Sequence, residues 1–445
     1  MRKPPRTLKP FDLPQEIIDN ILDHLAQISD KDDEARQTLR SCLVVSRLFT
    51  RRSRQNLLLD VTVSQQTWSR TQVLMRTFRQ EPFLLTCLRS LQLRVAEQEE
   101  PNYDQVLEFT QMTVGRCPNL KHLAVAFYGH DPELDTSSPF SFHLGLRTDV
   151  FTMISGANLN SLALTNMFHI PMEAVLLDCF HLERLEVVKC HFISKEVSID
   201  RIPDLLPFYR TVKYLRISND NDNFFVAATA VHVGQRPRFS KLESLVWEFS
   251  SHDDIFWMGV HLESAPLLET LELWVLFNNT ESFSNDPSNP RTHRLNDTDT
   301  PDTPERVHLG RIKSLKTLTL NIITSDPSNL LGHTTDCVIF SPFSFRSPPT
   351  VHVININVTA YCKWFDIEDF MENDRTGWRY LDGSLSNPKS YPNLTHVNLC
   401  FHLLPLPGTV LPPLSELKTE FSVLYRFPRL ARREGLALTT SVTRE

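Results

Sequence analysis

The hexapeptide LERLEV, residues Leu182–Val187, shows a pattern that recurs along this 445-residue chain: apolar-x-x-apolar-x-apolar. Its last two apolar positions are two residues apart, the period at which side chains fall on one face of a β-strand. Similar turns such as CPNL and YPNL often precede it, which argues against chance. Ten copies occur, 23 to 47 residues apart, at Leu88–Leu93, Leu120–Val125, Leu159–Leu164, Leu182–Val187, Val212–Ile217, Leu242–Trp247, Leu268–Leu273, Leu315–Leu320, Val351–Ile356 and Leu394–Leu399.

The segments between the copies have a different apolar period. YDQVLEFTQMTV, residues 103–114, places its apolar residues three and four apart, as an amphipathic helix does. Strand followed by helix, repeated, predicts an α/β fold whose parallel strands are joined by crossover segments. We therefore expect an irregular, curved solenoid with a parallel sheet on its concave face, stabilised by packing between neighbouring repeats.

A separate helical module is predicted at the start of the chain. FDLPQEIIDNILDHL, residues 11–25, has apolar residues with helical spacing, and Pro14 stands where a first helical turn accepts proline. TLRSCLVVSRLF, residues 38–49, forms a second apolar segment, and NLLLDVTV, residues 56–63, then changes to strand periodicity. Two or three short helices in about 50 residues can hardly bury a self-sufficient core. Some apolar side chains are thus expected to face the repeats or another chain.

These two segments resemble an F-box, whose pattern is Leu-Pro-x-Glu-aliphatic, then Ile-Leu-x-x-Leu, then Val-Ser/Cys-Arg/Lys-x-Trp. Phe49 stands where tryptophan is commonest, and the insertion before Leu39 is longer than usual. The matching residues are Leu13, Pro14, Glu16, Ile17, Ile21, Leu22, Leu25, Leu39, Cys42, Val45, Ser46 and Arg47.

The repeat resembles the leucine-rich repeat, whose longer form continues to Asn or Cys three residues after the last leucine. Only Cys190 meets that requirement, so we expect no continuous asparagine ladder at this position. The ending LYRFPRLARREGLALTTS, residues 424–441, is similar to the chain ends of large fungal F-box families that carry such repeats.

The resemblance implies a substrate-recognition subunit of a Skp–cullin–F-box type ubiquitin ligase. The helical module would bind the Skp-type adaptor and, through it, a cullin–RING ligase, and the repeats would bind an unknown protein substrate. The implied adaptor-facing residues are Leu13, Pro14, Ile17, Ile21, Leu25, Leu39, Val45 and Phe49. The alternative for Ile18, Leu22 and Leu43 is packing within the module or against the first repeat.

The substrate surface is predicted on the concave strand face, at polar positions of the repeat. These positions are Arg89, Lys121, Arg184, Lys213, Glu243, Glu269 and Lys316. The rival hypothesis is a leucine-rich-repeat scaffold for protein interactions whose F-box has drifted and which has no role in a ligase.

Composition argues against an enzyme. Only 12 glycines occur, about 2.7% where about 7% is usual, and neither a phosphate-binding glycine loop nor a nucleophile elbow is present. The eight cysteines form no CxxC pair, so we predict no metal site, no cofactor and reduced thiols in an intracellular protein of the cytoplasm and/or nucleus. A net charge of −7 argues against nucleic-acid capture, and no apolar run is long enough to span a membrane. The basic start is not a secretory signal.

The predicted domain boundaries follow from these patterns. They are a flexible tail at 1–10, an F-box at 11–60, a leucine-rich-repeat-like solenoid at 61–430 and a C-terminal tail at 431–445. A polar stretch at 278–306, nearly free of apolar residues, is predicted to be a disordered insertion. Two basic runs, Arg51–Arg54 and Arg429–Glu434, are predicted to be solvated faces.

Overall fold

The structure, a computed structural model, describes residues 14–29, 33–64, 68–95, 103–127, 144–167, 170–171, 175, 179, 181–190, 192–193, 211–218, 239–249, 262, 265–277, 312–324, 349–362, 375–405, 413–420 and 427–444. Leu13 and the predicted tail at 1–10 lie outside these ranges, as does the insertion predicted at 278–306. The chain divides into two compact units, Met1–Asn166 and Met167–Glu445. The boundary between the two units therefore does not coincide with residue 60, the predicted end of the helical module. That module and the first four strands belong to the same unit.

The described residues of the first unit form six α-helices and four parallel strands in the order β1-β2-β3-β4. Its helices are α1 (Gln15–Ser29), α2 (Asp33–Val45), α3 (Arg47–Leu57), α4 (Trp68–Gln80), α5 (Tyr103–Thr113) and α6 (Leu144–Gly156). Its strands are β1 (Asp60–Ser64), β2 (Ser90–Val95), β3 (His122–Phe127) and β4 (Ser161–Thr165), and a 3-10 helix spans Pro82–Cys87. Helix α5 and strand β1 confirm the helix and the strand predicted there.

In the second unit, the part of the chain that the structure describes forms eight parallel strands in the order β6-β8-β9-β10-β11-β12-β13-β14. They are β6 (Arg184–Val188), β8 (Tyr214–Ile217), β9 (Ser244–Phe249), β10 (Thr270–Phe277), β11 (Thr317–Thr324), β12 (Val353–Cys362), β13 (His396–Pro405) and β14 (Ala437–Arg444). A separate parallel pair joins β5 (Ile170–Pro171) to β7 (Phe192–Ile193). The described helices are α7 (Arg375–Ser386), α8 (Leu414–Glu420) and a 3-10 helix, Leu430–Arg432.

Each of the ten hexapeptides carries one parallel strand, so the mixed α/β fold with parallel strands is confirmed. All thirty apolar positions of the ten copies are buried, including Trp247 at 2% exposure. A recurring turn leads into the strands: the first apolar residue donates its N–H to the carbonyl three residues earlier, as from Leu120 to Cys117 (3.2 Å) and from Leu268 to Ala265 (3.3 Å). The pattern therefore fixes both the strand and the turn that precedes it.

The predicted C-terminal tail at 431–445 is wrong. Strand β14, residues 437–444, pairs with β13 along its whole length. The run Arg429–Glu434 is also not simply a solvated face, because Arg433 donates to the carbonyls of Leu385 (2.6 Å) and Tyr391 (2.5 Å). The last strand lacks the leucine pattern: of its side chains with a described environment only Val442 is buried, so the motif could not reveal it.

Candidate functional site

Helices α1, α2 and α3 pack around a small apolar cluster of their own. Ile18, Leu22 and Leu39 are its buried members, each at most 1% exposed. The half-buried apolar residues packed against them are Leu25, Ala26, Cys42, Phe49 and Leu57. The alternative of packing within the module is thereby confirmed for Ile18 and Leu22, while Leu43 is half-buried.

The module also leaves apolar side chains in solvent, in two groups. The α1 group consists of Ile17 (44% exposed), Ile21 (49%) and Ile28 (39%). Their spacing of four and seven residues places them on one face of the helix. The junction group, where α2 ends and α3 begins, consists of Val44 (86%), Val45 (71%) and Leu48 (40%). Six exposed apolar residues on three short helices are therefore available to a partner.

Hydrogen bonds connect the start of α1 to the junction. Gln15 Nε2 donates to the carbonyl of Leu48 (3.1 Å), and Ser46 caps α3 by accepting from the Leu48 N–H (3.3 Å). Thr50 Oγ1 donates to the carbonyl of Leu43 (3.1 Å), which holds the end of α2 against α3. These contacts fix the first turn of α1 beside the junction group.

Four of the eight residues predicted to face an adaptor are exposed: Pro14, Ile17, Ile21 and Val45. Leu25 and Phe49 are half-buried against the module's core, and Leu13 lies outside the described residues. The prediction for Leu39 is wrong, because its side chain is 1% exposed inside that core. Sequence reasoning missed Ile28, Val44 and Leu48, although Ile28 continues the apolar spacing of α1.

The basic run Arg51–Arg54 is not the solvated face that was predicted. Arg52 binds Asp23 of α1, Arg54 forms an ion pair with Glu81, and Ser53 is fully buried. The hydrogen bond from Arg52 holds the pKa of Asp23 below its ordinary value of 3.8. The run therefore fixes α3 to α1 and to the segment after α4.

The predicted substrate positions lie elsewhere than expected. Only Arg184 is within a strand, where it pairs with Glu186 (2.7 Å) and lies over the Tyr214 ring at 3.9 Å. The other six directly precede strands, because each of these strands begins only at the third residue of its hexapeptide: Arg89, Lys121, Lys213, Glu243, Glu269 and Lys316. Their assignment to the strand face is wrong, because each lies immediately before the first residue of its own strand. Lys213 and Lys316 form ion pairs there with Glu183 (3.1 Å) and Glu269 (2.6 Å).

The strand face of the second unit instead carries a hydrogen-bonded ladder of polar side chains. Asn398 donates to Asn355 (2.7 Å), and Asn355 donates to Thr319 (3.0 Å). In the next row, Asn357 donates to Asn321 (2.8 Å), which donates to Glu272 (2.8 Å). The sequence excludes a continuous asparagine ladder at one position of the repeat, three residues after the last leucine. The observed ladder lies at other positions. The missed signal was the polar residue at the fifth position of the last three copies, which lies on the strand face: Thr319, Asn355 and Asn398.

The described residues offer little for other chemistry. Six cysteines in the described ranges are thiols rather than halves of a disulfide: Cys42, Cys87, Cys117, Cys179, Cys190 and Cys400. No group of three or more His, Cys, Asp or Glu side chains in the described ranges could hold a metal ion. None of the helices described is both long and apolar enough to cross a membrane.

Comparisons with known proteins add no named family. No family model matches the chain, and no curated protein matches it. Among solved structures, it is similar to a Bacteroides fragilis protein determined by a structural genomics consortium, with a TM-score of 0.29 and 13% identity. The alignment covers 80% of this chain and 66% of that protein, just under two thirds of its length. This similarity is too low to carry an inference about function.

Proposed function

We propose that this chain is a non-enzymatic substrate receptor of a Skp–cullin–F-box type ubiquitin ligase. Its helical module docks the Skp-type adaptor, its leucine-rich-repeat-like domain binds a protein substrate, and partner chains carry out the ligase chemistry. The proposal places the protein inside the cell, in the cytoplasm and/or the nucleus. One observation carries it: the module has its own core, yet it exposes Ile17, Ile21 and Val45 from the F-box-like pattern.

The energetics favour a partner on this surface. Burying one large aliphatic side chain completely contributes roughly 1.5–3 kcal/mol. Ile17 and Ile21 are already about half covered, so each gains about half of that amount, whereas Val45 at 71% exposure gains more. Six such residues in a well-packed interface sustain a specific complex after association costs.

The test is capture of the purified full-length chain by a Skp-type adaptor. We expect Ile17→Asp plus Ile21→Asp to lower adaptor affinity by about a hundredfold, because two carboxylates would be desolvated in the interface. Val45→Asp should weaken binding independently through the junction group.

A matched control separates this effect from a general response to charge. Val73→Asp plus Leu267→Asp also replaces two exposed apolar residues (63% and 50% exposed), both outside the module, and should bind the adaptor normally. If the wild-type chain does not bind, or if the α1 variant binds as well as the control, the adaptor role is wrong. The scaffold hypothesis then becomes the better one.

A further inference from the structure

A polar cleft lies between the helical module and the edge where the first strands begin. Its volume is about 1450 Å³. Helices α1, α2 and α3 line one side, and residues next to the start of β1, β2, β3 and β4 line the other. The whole cleft lies within the first compact unit.

The cleft carries positive charge in a chain that is negative overall. Four basic residues line it, Arg36, Arg52, Arg89 and Lys121, and two acidic residues, Asp23 and Asp60. With His122 neutral, four minus two gives +2, whereas the whole chain carries −7. A concentration of one sign in a cleft attracts ligands of the opposite sign.

Most of this positive charge is not neutralised by the protein. The Asp23 carboxylate is already bound to Arg52 on both oxygens and to Asn56 Nδ2 (3.1 Å). Among the described residues, Lys121 Nζ donates to a neutral group alone, the carbonyl of Asn158 (3.2 Å). Neither the Arg36 nor the Arg89 side chain forms an ion pair or hydrogen bond with a described residue. Arg89 helps to lower the pKa of Asp23 through its charge, but the described residues form no ion pair with Arg36, Arg89 or Lys121, so these three cations can bind anions.

We propose that the cleft binds an acidic peptide segment, rich in aspartate or glutamate, of the protein substrate. Five amide side chains line the cleft beside the charges: Gln27, Gln55, Asn56, Asn119 and Asn160. Amides donate to and accept from a peptide backbone, and arginine forks match carboxylates. Charges spread over an open cleft suit several single carboxylates rather than one compact dianion.

Substrate and adaptor would not compete for the same surface. Asp23, Ala26 and Gln27 line the cleft, whereas Ile17 and Ile21 belong to the α1 group. At 100° per residue, Asp23, Ala26 and Gln27 point about 120°, 180° and 80° away from Ile17 around the helix. The role as a substrate site rests on the proposed receptor function, but the charge selectivity of the cleft does not.

The experiment measures peptide binding to the full-length chain without adaptor, by fluorescence anisotropy. The probes are a labelled peptide of alternating glutamate and serine and a matched peptide with glutamine at every glutamate. We expect the glutamate peptide to bind at least about tenfold more tightly, with an affinity that falls as salt is raised. Arg89→Glu plus Lys121→Glu should abolish that preference, and Arg36→Glu should reduce it. The double variant should keep the melting temperature and the adaptor affinity of the wild type.

The control makes the same change of charge elsewhere. Lys241→Glu plus Lys313→Glu reverses two exposed lysines of the second unit and should leave peptide affinity unchanged. If Arg89→Glu plus Lys121→Glu misfolds, Arg89→Gln plus Lys121→Gln replaces it, with about a tenfold loss expected. Equal affinity for both peptides, retained binding by the cleft variants, or tight binding only of a serine peptide with one phosphoserine would overturn the proposal. Adaptor capture of the same proteins reports separately on the receptor function.

Discussion

The Arg52 guanidinium binds both carboxylate oxygens of Asp23, from Nε to Oδ1 and from Nη2 to Oδ2, at 2.6 Å each. Asn56 Nδ2 adds a third hydrogen bond, to Oδ1 (3.1 Å). The two residues lie 29 positions apart, on α1 and α3, and their side chains are 33% and 38% exposed. A bidentate pair restrains both distance and orientation, so this contact sets the angle at which α1 crosses α3 beside the module's core.

The Asp23–Arg52 pair makes the stability of the module depend on pH. The hydrogen bond from Arg52 lowers the pKa of folded Asp23, so the unfolded chain binds the proton more tightly. The stabilisation is present above the ordinary value of 3.8 and is lost as pH falls through the lower folded pKa. We expect Asp23→Asn to reduce the acid dependence of the melting temperature between about pH 5 and pH 2. Asp60→Asn, at an exposed carboxylate, is the control, and identical acid profiles for wild type and Asp23→Asn would contradict the prediction.

Leu39 and Ile21 differ in environment although the F-box resemblance assigned both to the adaptor. Leu39→Ala should lower the free energy of unfolding by about 2–5 kcal/mol, since it leaves a cavity in the core. Ile21→Ala, at 49% exposure, should cost less than about 1 kcal/mol. Urea denaturation followed by circular dichroism measures both. Equal losses would show that Ile21 is part of the core.

The polar ladder on the strand face predicts a stability effect far from the helical module. Asn355 both donates to Thr319 and accepts from Asn398, so Asn355→Ala removes one hydrogen bond from each of these two partners. We expect a loss of about 1–3 kcal/mol in the free energy of unfolding. Asn393→Ala, in an exposed turn, should change it by less than about 0.5 kcal/mol. Comparable melting temperatures for the two variants would argue against the ladder.

Cys117 should resist alkylation in the folded protein. Burial raises the pKa of its thiol to about 11, and its side chain is only 7% exposed. At pH 8 about one thousandth of it is thiolate, the reactive form. Iodoacetamide labelling followed by peptide mass spectrometry should modify the half-buried Cys87 before Cys117. In denaturant the two rates should become similar, and rapid labelling of native Cys117 would disprove this assignment.

Substitution of Arg433 tests whether the segment just before β14 stabilises the fold through the hydrogen bonds of this side chain. Its guanidinium donates hydrogen bonds to two carbonyls, those of Leu385 and Tyr391. The ammonium group of a lysine cannot donate to both in the same geometry. Arg433→Lys should therefore cost about 1–3 kcal/mol of unfolding free energy. Arg432→Lys, at the exposed neighbouring position, should be nearly neutral. Equal thermal shifts would mean that these contacts contribute nothing.

The sequence by itself determined where the ten strands of the leucine pattern lie and which side chains they bury. Apolar residues two apart in a strand lie on the same face of the sheet, and that face is buried in every copy from Leu88–Leu93 to Leu394–Leu399. The sequence also indicated that the N-terminal helices would leave apolar residues exposed, because so short a module cannot bury them all.

Tertiary structure decided what each remaining side chain faces. Ile21 and Leu39 have similar apolar character and lie in the same motif, yet only the packing of three helices leaves one in solvent and the other in the core. Periodicity could not place Arg89 just before a strand or detect the Asn355 ladder, because these depend on where the strands begin and how they pair. Strand β14, with Val442 its one side chain known to be buried, is held by pairing with β13 rather than by an apolar pattern. The spacing of apolar residues along the sequence determines which face of each helix or strand is apolar. Which polar side chains form hydrogen bonds depends on contacts between residues far apart in the sequence.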